Sequence, residues 1–303
     1  MKKRFLFFIA LSTTLLLSCS TAGQSLSTEG DFIIWSHSDI QPKDNKTLRD
    51  FKIAVDDMSQ LERIDISITA GDIVEKSRSE HLYREYLELR KKVNCLNWFE
   101  IAGNHEWRDI ETYTRLVNPK LHYSVTAGNI LLLFISNSAP GRMTEIPDNV
   151  FQWWEQNVIE NQDKIIITVT HGSLKNSGLL QSRANIERQF IKNSERFESV
   201  LKKYKVDIWI SGHSHIPGYL PFTDYKNEDL GGTIFIDNGA IREDLFSNIE
   251  SRVIIFKKDS DIVTIKHRDH KEKKYITSFE KEYRLSKKFH YEKDSEIKLQ
   301  AMP

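Results

Sequence analysis

The sequence predicts an α/β fold: two packed, mixed β-sheets flanked by helices on both outer faces. Three observations predict it. From Asp31 onward, short apolar runs alternate with longer amphipathic segments. The first half reads strand–helix–strand–helix–strand, the order of a parallel sheet with helical crossovers. The second half adds strand pairs with short connections, which argues for a second, partly antiparallel sheet.

The elements follow in order. Phe32–Trp35 is a first strand, apolar throughout. Leu48–Leu61 is a helix, because Phe51, Ala54, Val55, Met58 and Leu61 recur at helical spacing. Ile64–Thr69 and Trp98–Ile101 are strands on either side of a helix at Ser79–Lys92. Asp109–Leu116 is a third helix. Leu121–Val125 and Ile130–Ile135 are strands with a short connection. A helix at Asn149–Asn161, a strand at Ile165–Thr170 and a long helix at Ala184–Tyr204 come next. Ile208–Ile210, Thr233–Ile236, Val253–Phe256 and Ile262–Ile265 complete the strands, each short, β-rich and bounded by polar residues or glycine.

The chain has 303 residues, 39% of them hydrophobic and 28% charged, the balance of a globular protein. Lys plus Arg and Asp plus Glu number 43 each. There is no basic stripe, and nucleic-acid affinity rests largely on phosphate neutralisation, so no specific nucleic-acid partner is expected.

The N-terminus is a separate matter. Lys2, Lys3 and Arg4 precede an apolar run from Phe5 to Leu17, shorter than the ~20 residues of a membrane span but suited to a signal peptide. The run ends in Leu16-Leu17-Ser18-Cys19, which resembles the lipobox of bacterial lipoproteins. That resemblance implies removal of residues 1–18, lipidation of Cys19 and anchoring to a membrane of the bacterial cell envelope, facing periplasm or exterior. Residues 19–30 read as a flexible tether. Residues 31–270 form the main domain, and 271–303 a charged extension packed on it, with Tyr275, Ile276, Phe279, Tyr283 and Leu285 as its apolar contacts. Cys95 is then the one unlipidated cysteine, so no structural disulfide is expected, and it reads as buried filler.

Five clusters carry the chemistry: Ser38-Asp39-Ile40-Gln41, Gly71-Asp72, Gly103-Asn104-His105-Glu106, His171-Gly172 and Gly212-His213-Ser214-His215. Each stands where a predicted strand runs out, the place where an open α/β sheet gathers functional groups. Glycine before the ligand in three of them permits sharp turns and close backbone approach. Together they offer enough carboxylate, amide and imidazole donors for two divalent ions.

In this order the clusters resemble the motifs D-x-H, G-D, G-N-H-[DE], H and G-H-x-H of the calcineurin-like metallophosphoesterase superfamily. The match runs from Asp39 to His215, most of the domain, and implies a metallophosphatase-like αββα sandwich over 31–270. The resemblance implies roles residue by residue. Asp72 bridges two metals. Asp39, Gln41 and His215 complete one site, and Asn104, His171 and His213 the other. His105 is no ligand; it assists the leaving group, and Glu106 orients it. Apart from the resemblance, Asn104 is also read as a substrate contact, and Arg108, just after the Gly-Asn-His-Glu-Trp run, lies near the site and could pair with a phosphate.

Gln41 departs from the pattern, standing where the family has histidine. Its amide oxygen could ligate directly, act through water, or leave that ion loosely held. His37, two residues before Asp39, is a possible substitute. Trp107 could stack a base or sugar, and Asn137, Arg142, Lys175 and Arg183 lie on loops that could roof the pocket.

The implied function is hydrolysis of phosphate esters with two divalent ions (Mn, Mg, Fe or Zn), a hydroxide between them attacking phosphorus. Two alternatives stand beside it. One is a phosphodiesterase for cyclic nucleotides or phospholipids. The other is a non-catalytic surface binding lipoprotein with a weakened first metal site.

Overall fold

The computed structural model describes residues 30–300, apart from 62, 96, 139–143, 181–185, 244–247 and 292–296. The expected leader, Cys19, the expected tether up to residue 29, Arg142 and Arg183 therefore lie outside the described residues. Two seven-stranded sheets stack face to face. The first runs β12–β11–β10–β1–β2–β3, with β13 also paired to β11. Its strands β1 (Phe32–His37), β2 (Ile66–Thr69) and β3 (Trp98–Glu100) are parallel, with β3 at the edge. Strand β10 (Glu250–Phe256) continues it antiparallel to β1, and β11 (Ile262–Asp269) pairs antiparallel with β10. The second sheet runs β14–β4–β5–β6–β7–β9–β8. Here β4 (His122–Ala127) and β5 (Ile130–Ile135) form the expected antiparallel pair. Strands β5, β6 (Ile165–Thr170), β7 (Ile208–Ser211) and β9 (Thr233–Asp237) are parallel, and β8 (Asp224–Asn227) is an antiparallel edge.

Side-chain alternation explains the layers. Along β1, Phe32 and Ile34 face the second sheet, packing with residues such as Leu132, Phe134 and Ile167. Ile33 and Trp35 face the opposite way, onto Phe51, Val55 and Met58 of α1 (Arg49–Met58) and Tyr83 and Tyr86 of α2 (Glu80–Arg90). Helix α3 (Ile110–Leu116) joins that layer through Tyr113. On the far face of the second sheet, Leu131, Leu133 and Trp209 pack against Trp154 of α4 (Asp148–Glu160) and Phe197 of α5 (Ser194–Leu201). Both sheets are covered on both faces, which is why their central strands read as unbroken apolar runs.

Two expectations change. The long helix over Ala184–Tyr204 is not continuous. Phe190 and Ile191 make parallel bridges to Ser173 and Thr144, Asn193 takes φ 59°, and α5 begins only at Ser194. The charged extension, expected only to pack on the domain through a few apolar side chains, supplies three strands. β12 (Lys274–Tyr275) and β13 (Lys281–Arg284) pair with β11, and β14 (Lys298–Gln300) pairs with β4. Leu285 and Phe289 from this segment enter the core between the sheets. Cys95 is buried, and burial pushes its thiol up to about 12, in keeping with a packing role. Among the described residues, no helix is long and apolar enough to cross a membrane.

Candidate metal centre

The loops after β1, β2, β3, β6 and β7 converge at one rim of the stacked sheets. Backbone hydrogen bonds lace them together. Asp39 N–H donates to Gly71 O at 3.1 Å, Gln41 N–H to Asp72 O at 3.2 Å, and Gly212 N–H to His171 O at 2.9 Å. Asp39, Gln41, Asp72, His213 and His215 all have positive φ, a conformation that non-glycine residues hold only where the surroundings enforce it. The glycines make room. Gly71 has φ 91°, and a Cβ there would lie 2.7 Å from His171 Nδ1 and 2.8 Å from the Gly103 backbone.

The side chains meet at Asp72, which is fully buried. Its Oδ2 lies 3.3 Å from His171 Nε2, and its Oδ1 accepts from His105 N–H at 2.9 Å. His171 Nδ1 donates to Ala70 O at 2.8 Å, which leaves Nε2 as the atom turned to Asp72 and, at 3.1 Å, to Asn104 Oδ1. His213 Nε2 donates to Arg188 O at 3.0 Å, and its ring centroid is 4.7 Å from that of His171. Asp72, His171 and His213 each offer a ligand atom, all within 4.8 Å of one another. Asn104 adds an amide oxygen. Carboxylate, imidazole and amide oxygen in this arrangement fit a divalent ion.

Asp39 forms the other wall. Its Oδ1 accepts from His215 Nε2 at 3.0 Å and its Oδ2 from His213 N–H at 2.8 Å. Burial works against charge throughout, yet the carboxylates stay ionised. His215 holds Asp39 below the usual carboxylate range, and His171 does the same for Asp72. In return Asp72, then Asp39, raise His171 to about 10 despite its burial. A metal ion at Nε2 would take the place of that proton.

Gln41 is at the rim, but its amide is turned in a particular way. Its Nε2 donates to Asp72 Oδ2 at 2.6 Å, and its Oε1 accepts from Arg242 Nη1. His37 is not brought to the site. The chain turns at Asp39, so the β1 face does not continue, and His37 packs among Trp35, Phe51 and Trp98.

Gln41, Asp72, Asn104, His105, His213 and His215 line one open cavity of about 520 Å³. Four further residues that sequence reasoning did not single out line it too: Glu75, Arg188, Gln189 and Arg242. None carries a motif signal; they sit on loops whose neighbours are set only by the fold. Arg108 lines the same cavity and is exposed. Trp107 and Asn137 instead line a separate cavity of about 620 Å³, joined by a hydrogen bond from the indole to Asn137 O. Lys175 pairs with Glu187 at 3.0 Å, outside the cavity lining.

A family model for calcineurin-like phosphoesterases matches residues 33–217, the span that holds every one of the clusters. The chain belongs to the calcineurin-like phosphoesterase family. Among solved structures, the phosphoesterase is similar to a purple acid phosphatase from yellow lupin (Lupinus luteus) seeds. The TM-score is 0.61 at 14% identity, over 83% of this chain and 53% of that one. It thus spans about half the length of the lupin protein. It is also similar to GAP50, the anchor in the inner membrane complex of Plasmodium. There the TM-score is 0.55 at 14% identity, over 86% of this chain and 90% of that one. Both likenesses are of fold. No curated protein sequence matches the chain.

Within this phosphoesterase, Glu106 does something other than orient His105. Its buried carboxylate accepts from the backbone N–H groups of Asp72, Ile73, Val74 and Gly103, at 2.8–3.3 Å. Those four donors favour the charged form, against burial and the Asp72 charge, which push Glu106 up to about 7. His105 is oriented by Glu75 instead: its Nδ1 donates to Glu75 O at 2.9 Å, and its Nε2 lies 3.8 Å from Asp72 Oδ2.

Proposed function

We propose that the protein is a metal-dependent hydrolase of phosphate esters, acting first on monoesters. The observation that carries this reading is the meeting of Asp72, Asn104 and His213 with the buried His171, at the floor of a solvent-open cavity that His105 also lines. A divalent ion held by those four residues would activate water and polarise a phosphoryl group. The chain's own residues do the rest. Asp72, buried and ionised, would hold such an ion together with His171 and His213. Asn104 offers an oxygen without adding charge. Arg108 and Arg188 border the cavity and suit the equatorial oxygens of a phosphoryl group. His105, tied at Nδ1 to the Glu75 carbonyl, presents Nε2 to the leaving-group oxygen and donates a proton from its imidazolium form.

The test is a panel of p-nitrophenyl phosphate and bis(p-nitrophenyl) phosphate with Mn²⁺. The reading expects metal-dependent release from the monoester, lost on chelation and in Asp72→Asn. Release from the diester alone would favour the phosphodiesterase. No release from any ester under any divalent ion would favour a binding protein.

Attachment to the cell envelope through Cys19 is part of the same reading. It is supported by the basic start, apolar run and Leu-Ser-Cys ending of the leader.

A further inference from the structure

We propose that the first metal position is closed, that Arg242 supplies its positive charge, and that the site takes a single divalent ion. This rests on the metal-dependent reading of the same site and narrows it.

The argument begins at Gln41. A glutamine can ligate a metal only through its amide oxygen. Here that oxygen is committed to Arg242 Nη1, and the NH₂ group faces Asp72 Oδ2 at 2.6 Å. Turning the amide over would set NH₂ against a guanidinium, which has no acceptor, and oxygen against the Asp72 carboxylate. Arg242 therefore fixes the orientation in which Gln41 is a donor, and a donor cannot bind a cation.

Arg242 is itself held in place. The preceding residue, Ile241, donates its N–H to Ser38 O at 3.1 Å, in the same cluster as Asp39 and Gln41. The following residue, Glu243, donates its N–H to Asp50 Oδ2 at 2.9 Å. The guanidinium also faces Glu75 Oε2 at 3.8 Å and lines the cavity that holds Asp72 and His215. Arginine stays charged at any working pH, so a permanent cation stands beside the position that a second ion would occupy. A divalent ion there would meet that charge as well as the wrong end of Gln41.

The experiment counts metal in the full chain by equilibrium dialysis against Mn²⁺, with electron paramagnetic resonance to separate isolated ions from coupled pairs. The native protein is expected to hold one ion with the spectrum of isolated Mn²⁺. The double variant Gln41→His/Arg242→Ala is expected to hold two, with a coupled signal. Two ions in the native protein would overturn the inference while leaving a metal-dependent hydrolase intact. One ion in a folded double variant would also overturn it, since the block would lie elsewhere. No ion in either would overturn the metal-dependent reading itself. The native count needs no variant, so a misfolded variant does not remove the test.

Discussion

Glu106 Oε2 accepts the backbone N–H of Asp72 at 2.9 Å, and through this contact the loop after β3 holds the loop after β2 in place. The same carboxylate also takes the N–H groups of Gly103, Ile73 and Val74. Two ligand-bearing turns are thereby fixed to each other by one buried side chain.

Glu106→Ala should therefore cost both stability and metal affinity. Each buried N–H left without a partner costs roughly 1–3 kcal/mol, so a total loss of about 3 kcal/mol or more is expected in urea unfolding. Mn²⁺ affinity should fall about 10–100-fold, the usual effect of losing support behind a ligand. An unchanged urea midpoint would show that water replaces the carboxylate without penalty.

His105→Gln should lower kcat by about 10²–10⁴-fold while leaving the bound Mn²⁺ unchanged, because His105 donates a proton rather than binding the ion. The loss should be smaller for p-nitrophenyl phosphate than for an alkyl phosphate, whose poorer leaving group needs the proton more. Equal losses for the two esters would point to a purely structural role.

Stability should fall in mild acid. His267 is buried, and burial, with the nearby Arg252 charge, lowers it to about 4 from an ordinary 6.5. The unfolded chain takes up a proton there that the folded chain refuses. The stability His267 contributes is thus full above pH ~6.5 and lost as pH falls toward 4, by up to ~1.4 kcal/mol per pH unit. His267→Gln should flatten the pH dependence of the urea midpoint in that window, relative to the native protein. Identical slopes would remove His267 as a contributor.

Cys19→Ser should shift the protein expressed in a bacterial host from the membrane fraction to the soluble one. Intact mass of the native form should show a lipid adduct on a chain beginning at residue 19. A membrane-bound Cys19→Ser protein would argue against a lipid anchor.

Much of this was legible in sequence for a physical reason. Strands β1, β2, β5, β6 and β7 are covered on both faces, so Ile165–Thr170 and its counterparts stand out as apolar runs. The clusters stand out because each follows such a run. The failures are as informative. Phe190 and Ile191 carry helical spacing, yet the bridges to Thr144 and Ser173 override it and α5 starts late. Strands β12 and β13 are edge strands with one wet face, so their charged residues mask them. Arg242 and Glu75 reach the site through loop geometry alone, which no local spacing encodes. His37 misled because period-two reasoning fails where the chain turns, at Asp39 with φ 53°.

The central claim is metal-dependent hydrolysis of phosphate esters at Asp72. Its most direct test is phosphate release from a panel of monoesters by the Mn²⁺-loaded protein, beside Asp72→Asn at equal concentration. The account predicts release by the native protein that stops on chelation and is lost in Asp72→Asn. Native turnover retained in Asp72→Asn, or no release from any ester by the metal-loaded native protein, would contradict it.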